Sequence, residues 1–379
     1  MNTYDVIVLG TGGVGSAAVL QLARRGLRVL GLDRFPGGHD RGSSHGETRI
    51  IRKAYFEHPD YVPLVQRAYE LWRELEAASG QQLLFEVGLI EIGPANGIVI
   101  PGILQCAAEY DLDVSMLDAT DVAHRHLGFV ISPDAQAVYE REGGYLLVEP
   151  CVLAHLETAK AAGAELRTDQ AVVSWTQENG GITVQTETDT WRADKLVITA
   201  GAWAKSLLAD LNIPLRIVRK HVHWYRCDRP VYRQDRGCPV FFYEVDHSYF
   251  YGFPQMDTRG VKVSEHSGGT VIEDPLTDDK SIELADQERV EQFLLRHLPG
   301  VSSQPTDHGV CYYTVSPDEH FIVDRHPLYD RVSFAAGLSG HGFKFTGVLG
   351  ELLADLTCDG TTSLPIAFMR CDRPGLVSD

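Results

Sequence analysis

The stretch Tyr4-Asp5-Val6-Ile7-Val8-Leu9-Gly10-Thr11-Gly12-Gly13-Val14-Gly15 decides the fold of this chain. Its apolar run predicts a strand, its glycines predict a tight turn, and the apolar periodicity from Ser16 to Arg25 predicts a helix. A second predicted strand, Leu27 to Leu32, ends at Asp33. Together these segments form one βαβ unit of an α/β fold.

The glycine-rich turn carries the GxGxxG pattern at Gly10, Gly12 and Gly15. Glycines at these positions let the backbone turn sharply and approach a pyrophosphate, whose charge the helix N-terminus stabilises. Asp33 has the spacing expected of the acidic residue that accepts hydrogen bonds from the adenosine ribose. The context predicts dinucleotide binding, with a purely structural turn as the alternative, and it leaves NAD and FAD both open.

The composition excludes several classes of protein. The chain has 379 residues, 44% of them hydrophobic, which exceeds the usual size of one compact domain. The formal charge of −18 disfavours nucleic acid and anionic membranes as partners. Seven cysteines without a CxxC pair or a metal-type cluster are typical of a reducing compartment, so we expect a cytoplasmic protein without a metal site.

The remaining pattern predicts two structural units. A long amphipathic helix is expected from Tyr61 to Ser79, and alternating aromatic strands between about Leu215 and Thr314 indicate an antiparallel sheet. Strand and helix patterns similar to those of the N-terminal βαβ unit recur in two later parts of the chain. We therefore predict a discontinuous cofactor domain and a substrate domain, with the boundaries 1–81, 146–214 and 315–379 for the first, and 82–145 and 215–314 for the second.

Several motifs, in order along the chain, resemble the family of monomeric sarcosine oxidase, N-methyltryptophan oxidase and pipecolate oxidase. They are Arg41-Gly42-Ser43-Ser44-His45-Gly46-Glu47-Thr48-Arg49-Ile50-Ile51-Arg52-Lys53-Ala54-Tyr55, Tyr251-Gly252-Phe253-Pro254, Lys262 with His266, Cys311-Tyr312-Tyr313-Thr314, and Ser339-Gly340-His341-Gly342-Phe343-Lys344. The resemblance implies FAD, a Rossmann-like domain of the p-hydroxybenzoate hydroxylase type and an antiparallel-sheet catalytic domain. It also implies a monomer.

The activity implied by this resemblance is oxidation of a secondary amino acid by oxygen. The products would be an imine and hydrogen peroxide, and the imine of an N-methyl substrate would hydrolyse to formaldehyde and an amino acid. The alternative is a flavin-dependent dehydrogenase that passes electrons to a quinone or a protein. Ser44 and His45 stand where sarcosine oxidases usually have two histidines, a form similar to pipecolate oxidases, whereas Val218-Arg219-Lys220 looks closer to N-methyltryptophan oxidase. The amine therefore stays open.

The same resemblance assigns residues to the flavin. Cys311 matches the cysteine that forms a thioether to the flavin 8-methyl group; without the family, a buried apolar cysteine would be the simpler interpretation. The other cofactor residues implied are Ser44, His45, Thr48, Arg49, Gly340, Gly342 and Lys344. Of these, Arg49 is expected to stabilise the electron-rich ring, and the glycines to offer backbone N–H groups at a helix N-terminus.

Arg52 and Lys344 match the ligands of the substrate carboxylate. Lys344 lies in the apolar run Phe343-Lys344-Phe345, where an unpaired charge would be costly. Lys262, between two valines of a predicted strand, matches the lysine that activates oxygen; the alternative is a solvent-facing strand lysine.

The walls of the substrate pocket are implied in the same way. His266 matches a histidine that positions the substrate. Tyr251 and Tyr313 match pocket tyrosines, and Phe242 falls where sarcosine oxidases carry a flexible apolar residue. Ordinary core packing is the alternative for all three aromatic residues.

Overall fold

The computed structural model describes residues 3–178 and 180–376. The outermost ends of the predicted segments 1–81 and 315–379 lie outside the described residues. The first strands are β1 (Thr3–Leu9), β2 (Val29–Leu32), β3 (Thr48–Ile51), β4 (Leu84–Phe85), β5 (Leu89–Pro94), β6 (Val114–Leu117), β7 (Ala135–Glu140), β8 (Gly144–Leu147), β9 (Glu165–Arg167) and β10 (Val172–Glu178). They continue with β11 (Gly181–Thr186), β12 (Thr190–Ile198), β13 (Arg216–Cys227), β14 (Val240–Val245), β15 (Ser248–Phe253), β16 (Val261–Glu265), β17 (Thr270–Ile272), β18 (Val301–Val315), β19 (Ile322–Arg325) and β20 (Val332–Ala336).

The helices lie between groups of these strands along the chain. They are α1 (Gly13–Arg24), α2 (Tyr61–Ser79), α3 (Val99–Tyr110), α4 (Ala119–Arg125), α5 (Val148–Ala161), α6 (Ala204–Leu207), α7 (Leu284–His297) and α8 (Thr346–Cys358). No helix in the described ranges combines the length and apolar character that crossing a bilayer requires.

The first sheet has the order β10-β11-β12-β1-β2-β9, with β20 beside β12 and β19 beside β20. Strands β1, β2, β9, β12 and β20 pair in parallel, which is the arrangement that βαβ units produce. Apolar residues of α1, α2, α5 and α8 form one hydrophobic core with residues of this sheet. The carboxyl ends of β1 and β2 therefore meet at one edge, where the glycine-rich turn lies.

The second sheet is mostly antiparallel and has the order β17-β13-β16-β15-β14-β5-β7-β6, with β18 paired along β13. Helix α7 packs on it through a core of aromatic and aliphatic side chains. A small sheet, β3-β8-β4, holds the motif-bearing strand Thr48–Ile51. The predicted α/β fold class with an added antiparallel sheet is confirmed.

Several predicted boundaries differ from the structure. The helix Tyr61–Ser79 is confirmed, but α1 begins at Gly13 rather than Ser16, because glycines of the motif already form its first turn. The sequence pattern also predicts helices from about Ile103 to Tyr110 and from Val152 to Ala162, and these begin earlier in the structure, at Val99 and Val148. The run from Leu196 to Ala200 predicts a buried strand, and in the structure it falls at the end of the longer β12, which begins at Thr190 and pairs with β11.

Candidate active site

The glycine motif forms a close-packed turn between β1 and α1. Gly10 has φ +85°, and a Cβ atom built on Gly15 would lie 1.7 Å from the carbonyl oxygen of Gly10. A side chain at either position would therefore break the turn. The Asp33 carboxylate accepts from the Thr11 backbone N–H at 2.6 Å and from the Phe35 N–H at 3.0 Å. These bonds hold the acidic group at the carboxyl end of β2.

A cavity begins at this turn. Its walls include the motif glycines Gly10 and Gly12, together with Asp33, Ser44, Arg49, Gly340 and Gly342. Bare glycine backbone, an acidic group at the ribose position and a helix N-terminus are the features that a dinucleotide needs. The residues present thus fit a cofactor of the FAD type.

Ser44 has a role that the sequence did not reveal. Its Oγ accepts from the Gly13 N–H at 3.1 Å, so it ties the RGSSHG loop to the first turn of α1. His45 beside it is buried, and its Nε2 has no hydrogen-bond partner among the described residues. Burial, followed by the positive charge of Arg49, lowers the pKa of His45 to about 3, so its ring is neutral.

A second, smaller cavity adjoins the first. Arg49, Tyr313, Gly340 and Phe343 line both cavities and so form their common wall. The other walls of the second cavity are Ile50, Arg52, Glu57, Phe242, Tyr251, His266, His341 and Lys344. The side chains predicted to hold the substrate therefore converge here, although the chain brings them from several distant segments.

Arg52 is buried in this wall and pairs with an acidic residue. Its Nη2 donates to both carboxylate oxygens of Glu57 at 2.8 Å. Its guanidinium also lies over the rings of Tyr55, at 4.5 Å, and Phe56, at 4.6 Å. Sequence patterns did not predict Glu57 as the partner, because the pairing depends on how the intervening residues 53–56 fold.

Lys344 is 3% exposed and stands on a short 3-10 turn, Phe343–Phe345, that precedes α8. Its Nζ donates to the His341 carbonyl oxygen at 2.9 Å and to the Tyr55 hydroxyl at 3.2 Å. The Tyr55 proton is thereby directed to His341 Nδ1, 2.6 Å away, and His341 Nε2 donates to the Glu319 carbonyl at 3.1 Å. Burial, followed by Arg52, lowers the pKa of Lys344 to about 7.

His266, Tyr251 and Tyr313 form the polar-aromatic wall of the second cavity. His266 Nδ1 lies 3.2 Å from the Tyr313 hydroxyl, and the ring centroids of His266 and Tyr251 are 6.2 Å apart. Burial, followed by Lys220, lowers the pKa of His266 to about 3. A neutral ring at this place can orient a substrate amine through a hydrogen bond without repelling it.

Lys262 lies beside the motif strand rather than in either cavity wall. It is 1% exposed, and its Nζ donates to Thr48 Oγ1 at 2.9 Å and to the Gly46 carbonyl oxygen. Burial, followed by Arg49, lowers its pKa to about 7. The solvent-facing alternative is wrong, because Lys262 is buried within β16.

Cys311 is buried in β18, opposite Lys220 of β13. Its sulfur does not line the large cavity, whereas its neighbours Tyr312 and Tyr313 do. The cationic groups of Arg49, Lys220 and Lys262 all lie near enough to interact electrostatically with it. No group of three or more His, Cys, Asp or Glu side chains in the described part of the chain is arranged to hold a metal ion.

The chain is similar to known flavin-dependent enzymes. A family model described as FAD dependent oxidoreductase matches residues 5–356. The chain is 40% identical over 370 residues to the monomeric sarcosine oxidase of Streptomyces avermitilis, with 96% of both chains covered. It is 38% identical over 372 residues to the N-methyl-L-tryptophan oxidase of Yersinia pestis, covering 98% of this chain and 99% of the relative.

A solved structure shares the whole fold. The open form of NikD, an unusual amino acid oxidase essential for nikkomycin biosynthesis, superposes with a TM-score of 0.85 at 25% identity. The match covers 98% of each chain. Both sheets described above therefore belong to a fold that an amino acid oxidase uses.

Proposed function

Because the chain belongs to the FAD dependent oxidoreductase family, we propose that it is an oxidase of a small secondary amino acid. The amine would be converted to an imine, and oxygen to hydrogen peroxide. A preparation should therefore consume oxygen and release peroxide with at least one amine of a panel containing sarcosine, N-methyltryptophan, pipecolate and proline. Peroxide release with none of them would contradict the proposal.

The observation that carries this proposal is the pair of buried cations in the second cavity. Arg52 and Lys344 are 4% and 3% exposed, and both line a wall of the same small cavity. A planar guanidinium and an ammonium that converge in this way suit a carboxylate, through charge-assisted hydrogen bonds. The common wall with the large cavity would place an amino acid bound there beside the cofactor.

Each side chain then has a distinct task. When bound, FAD supplies the two-electron acceptor for the carbon–hydrogen bond next to the amine. Arg52 and Lys344 hold the carboxylate, the neutral His266 ring orients the amine, and Tyr251 and Tyr313 exclude water. For the carboxylate to reach Arg52, Glu57 has to release the Nη2 group that it now occupies.

Phe242 should limit the size of the substrate. It is buried in the cavity wall, and its ring lies 5.6 Å from Phe56 and 5.8 Å from Tyr249. We expect Phe242→Ala to shift kcat/KM in favour of N-methyltryptophan over sarcosine by about 10-fold or more, the scale of a changed apolar pocket. Phe242→Leu, which keeps most of the bulk, is the matched control. An unchanged ratio in the alanine variant would remove Phe242 from the specificity wall.

We further propose that Cys311 holds the flavin covalently. Cys311 is buried next to Tyr312 and Tyr313, which line the large cavity, and a cysteine sulfur is a competent nucleophile for a thioether. After acid precipitation, the yellow colour should stay with the pellet of the wild-type protein and move to the supernatant for Cys311→Ser. Cys358→Ser, at a half-buried cysteine of α8, should behave as the wild type. Colour in the wild-type supernatant would contradict the covalent bond.

A further inference from the structure

Glu91 is a buried carboxylate that has no role in the proposed function. It lies in β5 beside Phe242 of β14, and it is 0% exposed. Neither of its oxygens has a hydrogen-bond partner among the described residues. Among the described residues, Arg52 is the one cation in ion-pair contact with Glu91: its Nε lies 3.3 Å from Glu91 Oε1. A carboxylate in such surroundings is costly to keep charged.

The guanidinium of Arg52 thus stands between two acidic groups. Glu57 occupies Nη2 on the cavity side, and Glu91 faces Nε from the sheet behind. A third carboxylate, Glu140, is fixed close by because it accepts from the backbone N–H groups of Lys53, at 2.7 Å, and Ala54, at 3.1 Å. Three carboxylates, those of Glu57, Glu91 and Glu140, therefore lie near the single guanidinium of Arg52. Lys344 is a second cation that interacts electrostatically with Glu91.

We propose that Glu91 is a positioning residue, which fixes the Arg52 guanidinium from its Nε side and takes up a proton when a substrate carboxylate binds. This inference rests on the proposed function, because it takes Arg52 as the carboxylate ligand. A bound carboxylate adds one negative charge to a buried group of acidic side chains. Protonation of Glu91 would compensate for this added charge, because no hydrogen bond from another described residue favours the charged form of its carboxylate.

The direction of the pH dependence follows from the groups that face Glu91. Burial raises its pKa to about 8, and Arg52 opposes the shift, whereas Glu140 and Glu57 add to it. Below that pH, Glu91 is already protonated and binding needs no proton. Above it, each bound carboxylate takes up one proton, so affinity falls as the pH rises. Lys344, with a pKa of about 7, also loses its positive charge as the pH rises, and this loss lowers the affinity for the carboxylate independently of Glu91.

The test is binding of methoxyacetate, which has the shape of sarcosine without a titratable amine. Its Kd is measured from the perturbed flavin absorbance of the holoenzyme between pH 6 and pH 10. Above about pH 8, the plot of log Kd against pH should be steeper for the wild type than for Glu91→Gln by up to about one, or tenfold per pH unit.

Glu91→Leu separates charge from positioning. It removes both the proton site and the oxygen that faces Arg52 Nε, so it should lose the steep limb and also bind methoxyacetate more weakly than Glu91→Gln at pH 6. Equal slopes for the wild type and Glu91→Gln would overturn the proposal. This measurement needs no turnover, so it can fail while an amine is still oxidised. A wild type that does not bind methoxyacetate would overturn the assignment of Arg52 and this proposal together.

Discussion

Lys262→Met is expected to slow the reaction with oxygen by about 100-fold or more, while anaerobic reduction by substrate stays nearly unchanged. A fixed cation in a dry site stabilises the negative charge that develops as oxygen accepts electrons, and removal of one such group costs roughly 10²–10³ in rate. Lys262 suits this task because it is buried and lies next to Arg49 and Thr48 of the flavin motif. Methionine suits the site sterically, because the Lys262 Nζ lies over the rings of Trp224 and Phe253.

The two half-reactions are measured separately by stopped flow, first with amine under argon and then with oxygen added to the reduced protein. Lys195→Met is the matched control, since Lys195 is a strand lysine of the first sheet that hydrogen-bonds to the Thr357 carbonyl. An unchanged oxygen rate in Lys262→Met would refute the role of Lys262. It would also favour the alternative, a dehydrogenase that transfers electrons to another acceptor.

Arg52→Met should raise KM for the amino acid by about 100-fold or more. Loss of one partner of a buried, hydrogen-bonded charge pair costs roughly 2–5 kcal/mol, and about 1.4 kcal/mol corresponds to a factor of ten. Arg52 is 4% exposed and is held by Glu57 and by the rings of Tyr55 and Phe56, so its position is fixed before substrate arrives. KM and kcat are determined from initial rates measured at varied amino acid concentration.

Two further variants separate loss of the ligand from disturbance of the fold. Arg52→Lys keeps the charge but loses the planar fork, and it should give a smaller increase in KM. Glu57→Gln removes the carboxylate that competes for Nη2, and it should lower KM. If Arg52→Met leaves KM unchanged in a protein that retains its flavin absorbance, Arg52 does not bind the carboxylate.

The sequence predicts the nucleotide end of the molecule well because its signals are local. Backbone geometry restricts Gly10 and Gly15 to glycine, and Asp33 follows at the end of the next strand. Lys344 could also be recognised, since a lysine between two phenylalanines has to find a polar partner. Its actual partners, the Tyr55 hydroxyl and the His341 carbonyl, come from the motifs that the family resemblance had already brought forward.

Local sequence patterns could not predict the contacts between segments that are distant in the chain. Glu91 alternates with Ile90 and Ile92 in its strand, a pattern that would normally indicate a solvent-facing acid. The structure buries it instead, because β14 and β7 flank the strand and Arg52 covers that face. Similarly, the hydrogen bond of Ser44 to Gly13 depends on how the loop folds back over α1.

The most direct test of the central claim is an anaerobic titration of the purified protein with sarcosine, N-methyltryptophan and pipecolate, followed by absorbance of the bound flavin. We predict that the protein is yellow and that a small secondary amino acid bleaches it at a stoichiometry of one. A yellow protein that none of these amines bleaches would contradict the assignment as a secondary amino acid oxidase. A protein without flavin absorbance would contradict the role of the large cavity itself.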